Sequence, residues 1–220
     1  MLDKHVAWDI GAAGVTRRLQ ARFDADAVLA GYSRLVIDLN RSLDDGSSIP
    51  TSSDGVLIPG NLSLTPAERA ARARSLHAPY HAAINDLVER RSGPERVPVF
   101  IGVHSFTPWF HGTLRPWQIG VLWDRDARLA LPLLDALRSH RDICVGDNEP
   151  YSGRHTADYS IDRHAEARGI AHAGIELRQD LIDDDAGCDR WSELLGDALA
   201  LALNDASIFK VLAQAQGSEP

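Results

Sequence analysis

Cysteine is almost missing from this chain. Cys144 and Cys188 are the two in 220 residues, too few for a disulfide framework or a cysteine-rich zinc site. Positive charge is also scarce: 23 Lys and Arg stand against 31 Asp and Glu, a formal net charge of −8. With no basic field to hold phosphates, the balance argues against nucleic-acid binding. A few local arginines can still receive a small anion. No apolar run approaches the roughly 20 residues a membrane helix needs, so no membrane partner is expected. The opening residues Met1 to His5 lack a secretory h-region, and a reducing cytoplasm is the expected compartment. There is no Gly-x-Gly-x-x-Gly fingerprint, no phosphate-cradling lysine loop and no Gly-x-Ser-x-Gly elbow. Nucleotide-dependent chemistry and serine hydrolysis lose ground accordingly.

What remains is an ordinary globular composition, 44% hydrophobic and 25% charged, of a length that suits a single domain over residues 1–220. Helical spacing of Trp8, Ala12, Val15 and Leu19 predicts a helix over 8–22. Residues 26–30 and 33–39 read as strands, followed by a long loop over 42–64. Thr65-Pro66-Ala67-Glu68 is a capping box with proline at the first helical position, so a helix should run from there to Arg91. Strands are expected over 97–103, 118–122, 142–145 and 171–177. Helices are expected near 125–139, 160–168 and 188–214, and a second long loop over 105–117. The alternation predicts an α/β fold, a three-layer sandwich with a mainly parallel central sheet. Such sheets bind ligands beyond the carboxyl ends of their strands, and the two long loops, 42–64 and 105–117, would wall the site.

Three strand tips carry chemistry. Arg34-Leu-Val-Ile-Asp-Leu-Asn40-Arg41 reads as an apolar strand that delivers an amide and a guanidinium to its end. Arg41 offers a planar fork matched to a carboxylate and Asn40 a neutral donor. His104 ends another strand, where a neutral imidazole suits a metal such as zinc; the plain alternative is a hydrogen-bonded loop histidine. Glu176, between Ile175 and Leu177, is a carboxylate in apolar surroundings, as a general acid or base requires. It could instead pair with Arg178 or another arginine. Arg34 and Arg178 are further anion-binding candidates, or structural partners of neighbouring acids. His77 and His81 have metal-ligand spacing on a helix, but a solvated face is the expected account. His5 and Asp9 also share a helical face, and Asp9 could cap that helix or reach a metal. His111, His155, His164 and His172 are scattered.

Several segments together resemble the N-formylglutamate amidohydrolase family. They are His5-Val-Ala-Trp-Asp-Ile-Gly11, Tyr32 through Arg41, Ile58-Pro-Gly-Asn61, Val103-His-Ser-Phe-Thr-Pro108, Asp147 through Gly153 and Ile175 through Ile182, in order along the chain. That family is similar to the zinc carboxypeptidases, in which an Asn-Arg pair holds the substrate carboxylate, a histidine binds zinc and a late glutamate activates water. The resemblance implies a zinc-carboxypeptidase-like fold and zinc-dependent hydrolysis of an N-acyl amino acid. The substrate would be a small anion such as N-formylglutamate, giving formate and glutamate, with a place in histidine degradation. His104 and Asp9 would be the metal ligands, with one zinc per chain. Glu176 would polarise water and shuttle a proton to the leaving amine. Asn40 and Arg41 would grip the carboxylate, Arg34 and Arg178 would support the pocket, and Tyr151 would line it. Relatives usually begin with a strand and a histidine-bearing loop ahead of the segment matching His5 to Gly11. Here the chain opens at the helix, so the first strand and its metal ligand are expected to be missing. Two rival readings follow: a catalytically silent relative that binds an acidic amino acid or a partner, and a small-peptide metallopeptidase.

Overall fold

The computed structural model describes residues 5–154 and 158–212. In chain order the elements are α1 (Ala12–Phe23), a small hairpin of β1 (Ser52–Ser53) and β2 (Val56–Leu57), α2 (Pro66–Arg72) and α3 (Ala78–Arg91). Then come β3 (Phe100–Phe106), a second hairpin of β4 (Trp109–Phe110) and β5 (Thr113–Leu114), β6 (Ile119–Leu122), α4 (Ala130–Arg138) and β7 (Val145–Asp147). The chain continues through α5 (Tyr159–His164), β8 (His172–Arg178) and α6 (Asp185–Ala202).

The central sheet has the order β3-β8-β6-β7. β3 is parallel to β8 and β6 to β7, while β6 and β8 run antiparallel. The sheet is thus mainly parallel with one reversed pairing. Alternation along each strand sorts its side chains between two faces. Ile119, Val121, Ala173, Ile175 and Leu177 point to the face covered by α1, α4 and α6, where they join Val15, Leu133, Leu134, Leu137 and Leu195 in the main core. The opposite face is lined by Gly102, Gly120, Gly146 and Gly174, and α5 packs there against β3 and β8, with α3 behind it.

Local signals explain most of the helices. α1 buries Ala12, Val15 and Leu19 as a stripe. The Thr65 capping box forms as expected, with Thr65 and Glu68 exchanging hydrogen bonds. The helix it opens is interrupted by a wide π-turn over Ala73–His77. Pro79, just beyond, has no N–H to give to the preceding turn, and a local widening is the usual response. α6 starts on the Asp184 carboxylate, which accepts from Gly187 N at 2.7 Å. It stops at Ala202, short of the expected 214; residues 213–220 lie outside the described region.

Two expected strands are absent. Residues 26–30 and 33–39 are irregular chain. Leu35, Ile37 and Leu39 are buried, but in two small clusters away from the sheet, with Ala7 and Ile58 in one and Ile49 in the other. Their backbone groups bond to loop partners: Arg34 N donates to Ala7 O at 3.0 Å and Asp38 N to Ser48 O at 2.7 Å. Apolar residues in alternation satisfied a loop core as readily as a sheet face. Among the described residues no helix is long and apolar enough to cross a membrane.

Candidate functional site

One row of residues crosses the glycine-lined face of the sheet. His104 on β3 pairs with Glu176 on β8, Glu176 with Gly120 on β6, and Gly120 with Gly146 on β7. A Cβ on either glycine would overlap the carbonyl oxygen of Glu149. The missing side chains therefore let the loop at Asn148–Tyr151 sit directly on the sheet beside Glu176. One sheet step back, Gly102 and Gly174 make the same room for α5. A Cβ there would meet Ile161 at 3.2 and 3.4 Å, and the Asp158 carboxylate at 3.6 and 3.5 Å.

His104 is fixed by carboxylates. Its Nδ1 lies 2.9 Å from Asp9 Oδ2, and its Nε2 is 3.7 Å from Asp158 Oδ2. Burial works against a charged imidazole. The hydrogen bond to Asp9 and the charges of Asp9, Asp158 and Glu176 outweigh it and push His104 up to about 10. The Asp9 carboxyl, which burial alone would raise, is held below its usual range by His104, with Arg34 behind. Glu176 is 7% exposed, and its Oε2 is buried without a hydrogen-bond partner among the described residues. Burial is the main cause that pushes it up to about 8; His104 and Arg34 offset this in part. A carboxyl that gains or loses a proton near neutral pH is suited to moving protons in a reaction.

The Asn40–Arg41 segment is held from below, not delivered by a strand. His77 Nε2 lies 3.0 Å from Arg41 O, and His81 Nε2 lies 2.9 Å from Leu39 O. Both histidines are buried, at 3% exposure each, which corrects the expectation of a solvated face. Because His81 Nε2 must donate to a carbonyl, neutral His81 accepts at Nδ1. His164 Nε2, 2.8 Å away, must then be a donor. Burial, with the neighbouring positive groups, lowers both His81 and His164 to about 4. Asn40 takes a backbone N–H from Ser160 on its Oδ1 at 2.9 Å; its Nδ2 bonds no described residue and is the half a ligand could use.

A cleft of about 250 Å³ opens above, with Arg34, Asp38, Arg41, Phe110 and Tyr151 among its lining residues. Segments from both long loops contribute, with Ser47, Pro50, Ser53 and Asp54 from one and Thr107 and Phe110 from the other. A smaller adjoining space of about 170 Å³ adds Trp109 and His111. His104 and Glu176 are not on the cleft wall; Arg34 joins the two regions, lining the cleft and reaching Asp9 Oδ1 at 3.6 Å. Arg34 also bonds Asp38 at 3.1 and 3.3 Å, so two carboxylates share its charge. Arg178 is tied to Asp180 at 2.8 Å and does not line the cleft.

A family model described as N-formylglutamate amidohydrolase matches residues 1–183. The chain belongs to the N-formylglutamate amidohydrolase family. Membership of the family supports amide hydrolysis as the broad activity. The crystal structure of gene product Atu2144 from Agrobacterium tumefaciens is similar at 34% identity, with a TM-score of 0.85 over 92% of this chain and 80% of that one. The N-formylglutamate amidohydrolase from Ralstonia eutropha JMP134 is similar at 23% identity and a TM-score of 0.56, covering 77% of this chain and 73% of that one. At that identity the likeness shows the fold. No curated protein sequence matches the chain.

The described side chains do not make a complete zinc site for this amidohydrolase family member. Among them no three His, Cys, Asp or Glu residues are grouped to hold a metal, and catalytic zinc generally takes three protein ligands. His104 Nε2 and Asp158 Oδ2 face one another, but Asp9 is spent on Nδ1. A carboxylate on the far nitrogen is how metal-bound histidines are commonly oriented, so Asp9 is arranged as a support for His104. Sequence reasoning did not single out Asp158, the two glycines of the row or His164. Glycines inside strands signal a close backbone approach, and Asp158 ahead of a helix signals a cap; it does accept from Ile161 N at 3.2 Å.

Proposed function

We propose that this chain hydrolyses the amide bond of an N-acyl amino acid bearing a free carboxylate, N-formylglutamate being the reference substrate. The observation that carries the proposal is Glu176 Oε2, buried and unpartnered beside His104. An orphaned buried carboxyl oxygen is costly, and a site that keeps one gains a group able to exchange protons. Ionised Glu176 takes a proton from the attacking water and returns it to the leaving amine. Arg41 and the Asn40 amide hold the substrate carboxylate. Arg34 ties Asp38 to Asp9 and so keeps the cleft in register with His104, and Tyr151 lines the cleft. Arg178 supports the sheet end through Asp180.

The proposal extends to the carboxypeptidase-like arrangement and to zinc, with His104 Nε2 as the nitrogen where it is expected. Metal and proton compete for that nitrogen, and its pairing with Asp158 favours the proton. The missing third donor among the described residues favours the rival reading, a silent relative that binds an acidic amino acid without turning it over. Purified chain should be assayed for zinc content and for amine release from N-formylglutamate and from dipeptides, before and after chelation. Zinc near one per chain, lost together with activity on formylglutamate, fits the lead reading. Tight glutamate binding with no amine release fits the rival, and a preference for dipeptides a small-peptide metallopeptidase.

A further inference from the structure

The helix α5 is six residues long. A helix that short has little stability of its own, so its order depends on what it touches. Three polar contacts tie it to both halves of the site. In its first turn the Ser160 N–H donates to Asn40 Oδ1 at 2.9 Å. At its last residue His164 Nε2 donates to His81 Nδ1 at 2.8 Å, and His81 Nε2 donates to Leu39 O at 2.9 Å. The helix therefore grips the carboxylate-holding segment twice, on the Asn40 side chain and on the carbonyl just before it. The third contact is made by Asp158, which caps α5. Its Oδ1 accepts the Ile161 N–H at 3.2 Å, while its Oδ2 faces His104 Nε2 at 3.7 Å. One carboxylate thus holds the helix start and stands against the imidazole of the His104–Glu176 row. Ile161, buried at 5% exposure, seats the helix on Gly102 and Gly174. The Asn40 amide is the junction, since its Oδ1 is spent on α5 and its Nδ2 bonds no described residue. A hydrogen bond accepted at one end of an amide and one donated at the other reinforce each other.

We infer that α5 couples the carboxylate-holding segment to the His104–Glu176 row: a carboxylate on Asn40 Nδ2 steadies the helix, and the steadied helix holds Asp158 against His104. His81 and His164 are positioning residues in this scheme, and neither meets the ligand. Coupling between two sites is reciprocal, so loosening α5 must weaken the ligand. The inference rests on the proposed function only in placing a carboxylate at Asn40 and Arg41, and it is tested without turnover. Amide hydrogen exchange of the whole chain is followed with and without saturating free glutamate. Glutamate affinity is measured by calorimetry for the wild type, His164→Leu and His164→Gln. Glutamate should slow exchange about fivefold or more at Ile161, whose N–H reads the Asp158 cap, and leave α4, across the sheet, unchanged. His164→Leu should weaken glutamate about tenfold, the scale of one interior hydrogen bond left without its partner. His164→Gln, which keeps an N–H for His81 Nδ1, should stay within about threefold of wild type. Unchanged exchange at Ile161 with glutamate bound overturns the inference, as does equal slowing in α4. So does a Leu variant that binds as wild type, or a Gln variant that loses as much as the Leu variant. If His164→Leu does not fold, exchange at Ile161 in the wild type decides. A wild type that does not bind glutamate removes the carboxylate site and this coupling together. Glutamate binding with a protected α5 but no amide hydrolysis counts against the proposed reaction alone.

Discussion

Single residues in this site are set by their neighbours' charge. Arg41 lines the cleft, and its guanidinium is the one proposed to meet a substrate carboxylate. Arg41→Ala should raise KM for carboxylate-bearing amides by about tenfold or more, the scale of a hydrogen bond to a charged group, and leave neutral amides unchanged. Equal losses on both would remove Arg41 from the clamp. The buried pair His81 and His164 makes a second expectation. Each is held to about 4 in the folded chain, below its ordinary 6.5, mainly by burial. Unfolded chain therefore binds protons that folded chain refuses. The stability these neutral imidazoles contribute is complete above about pH 6.5 and is lost as pH falls towards about 4. His81→Gln keeps a donor for Leu39 O but has no titrating ring. Its melting temperature should fall less steeply than wild type between those pH values. Identical slopes would show that other groups govern the acid limb. His104 and Glu176 were legible in the sequence as polar groups on apolar strands, although each lies two residues before its strand's end and not at the tip; His81 was not, because a helical sequence does not say which face will be covered.

At the level of elements, the glycines decide how closely loop and sheet approach. Gly120→Ala places a methyl group against the Glu149 carbonyl, so the Asn148–Tyr151 loop must lift. Overpacking of this kind costs about 1–3 kcal/mol, measurable by urea unfolding. It should also weaken substrate binding through Tyr151. A variant as stable as wild type would show that the loop is not seated on the sheet. The sequence made β3, β6, β8 and the capped start of α2 readable, since each has a strong local pattern. It misplaced residues 33–39, where alternating Leu35, Ile37 and Leu39 suggested a strand. The burial was real, but the hydrogen bonds went to Ala7, Ser48 and two histidines instead of a neighbouring strand. Periodicity reports which side chains are covered and cannot report which backbone partners complete the segment.

For the whole molecule, the layered fold brings together groups far apart in sequence. Asp9, His104, Asp158 and Glu176 come from four separate segments and meet through the ion pairs of His104 and the pairing of β3 with β8. Fold class and family were readable because ordered motifs span the chain. The antiparallel pairing of β6 with β8 was not, since nothing in a short apolar strand states its direction. The central claim is that Glu176 moves the proton in an amide hydrolysis. Its most direct test is amine release from N-formylglutamate by wild type and Glu176→Gln side by side. The account expects measurable turnover in the wild type and a loss of about 10²-fold or more in the variant. Equal rates in the two proteins would contradict it.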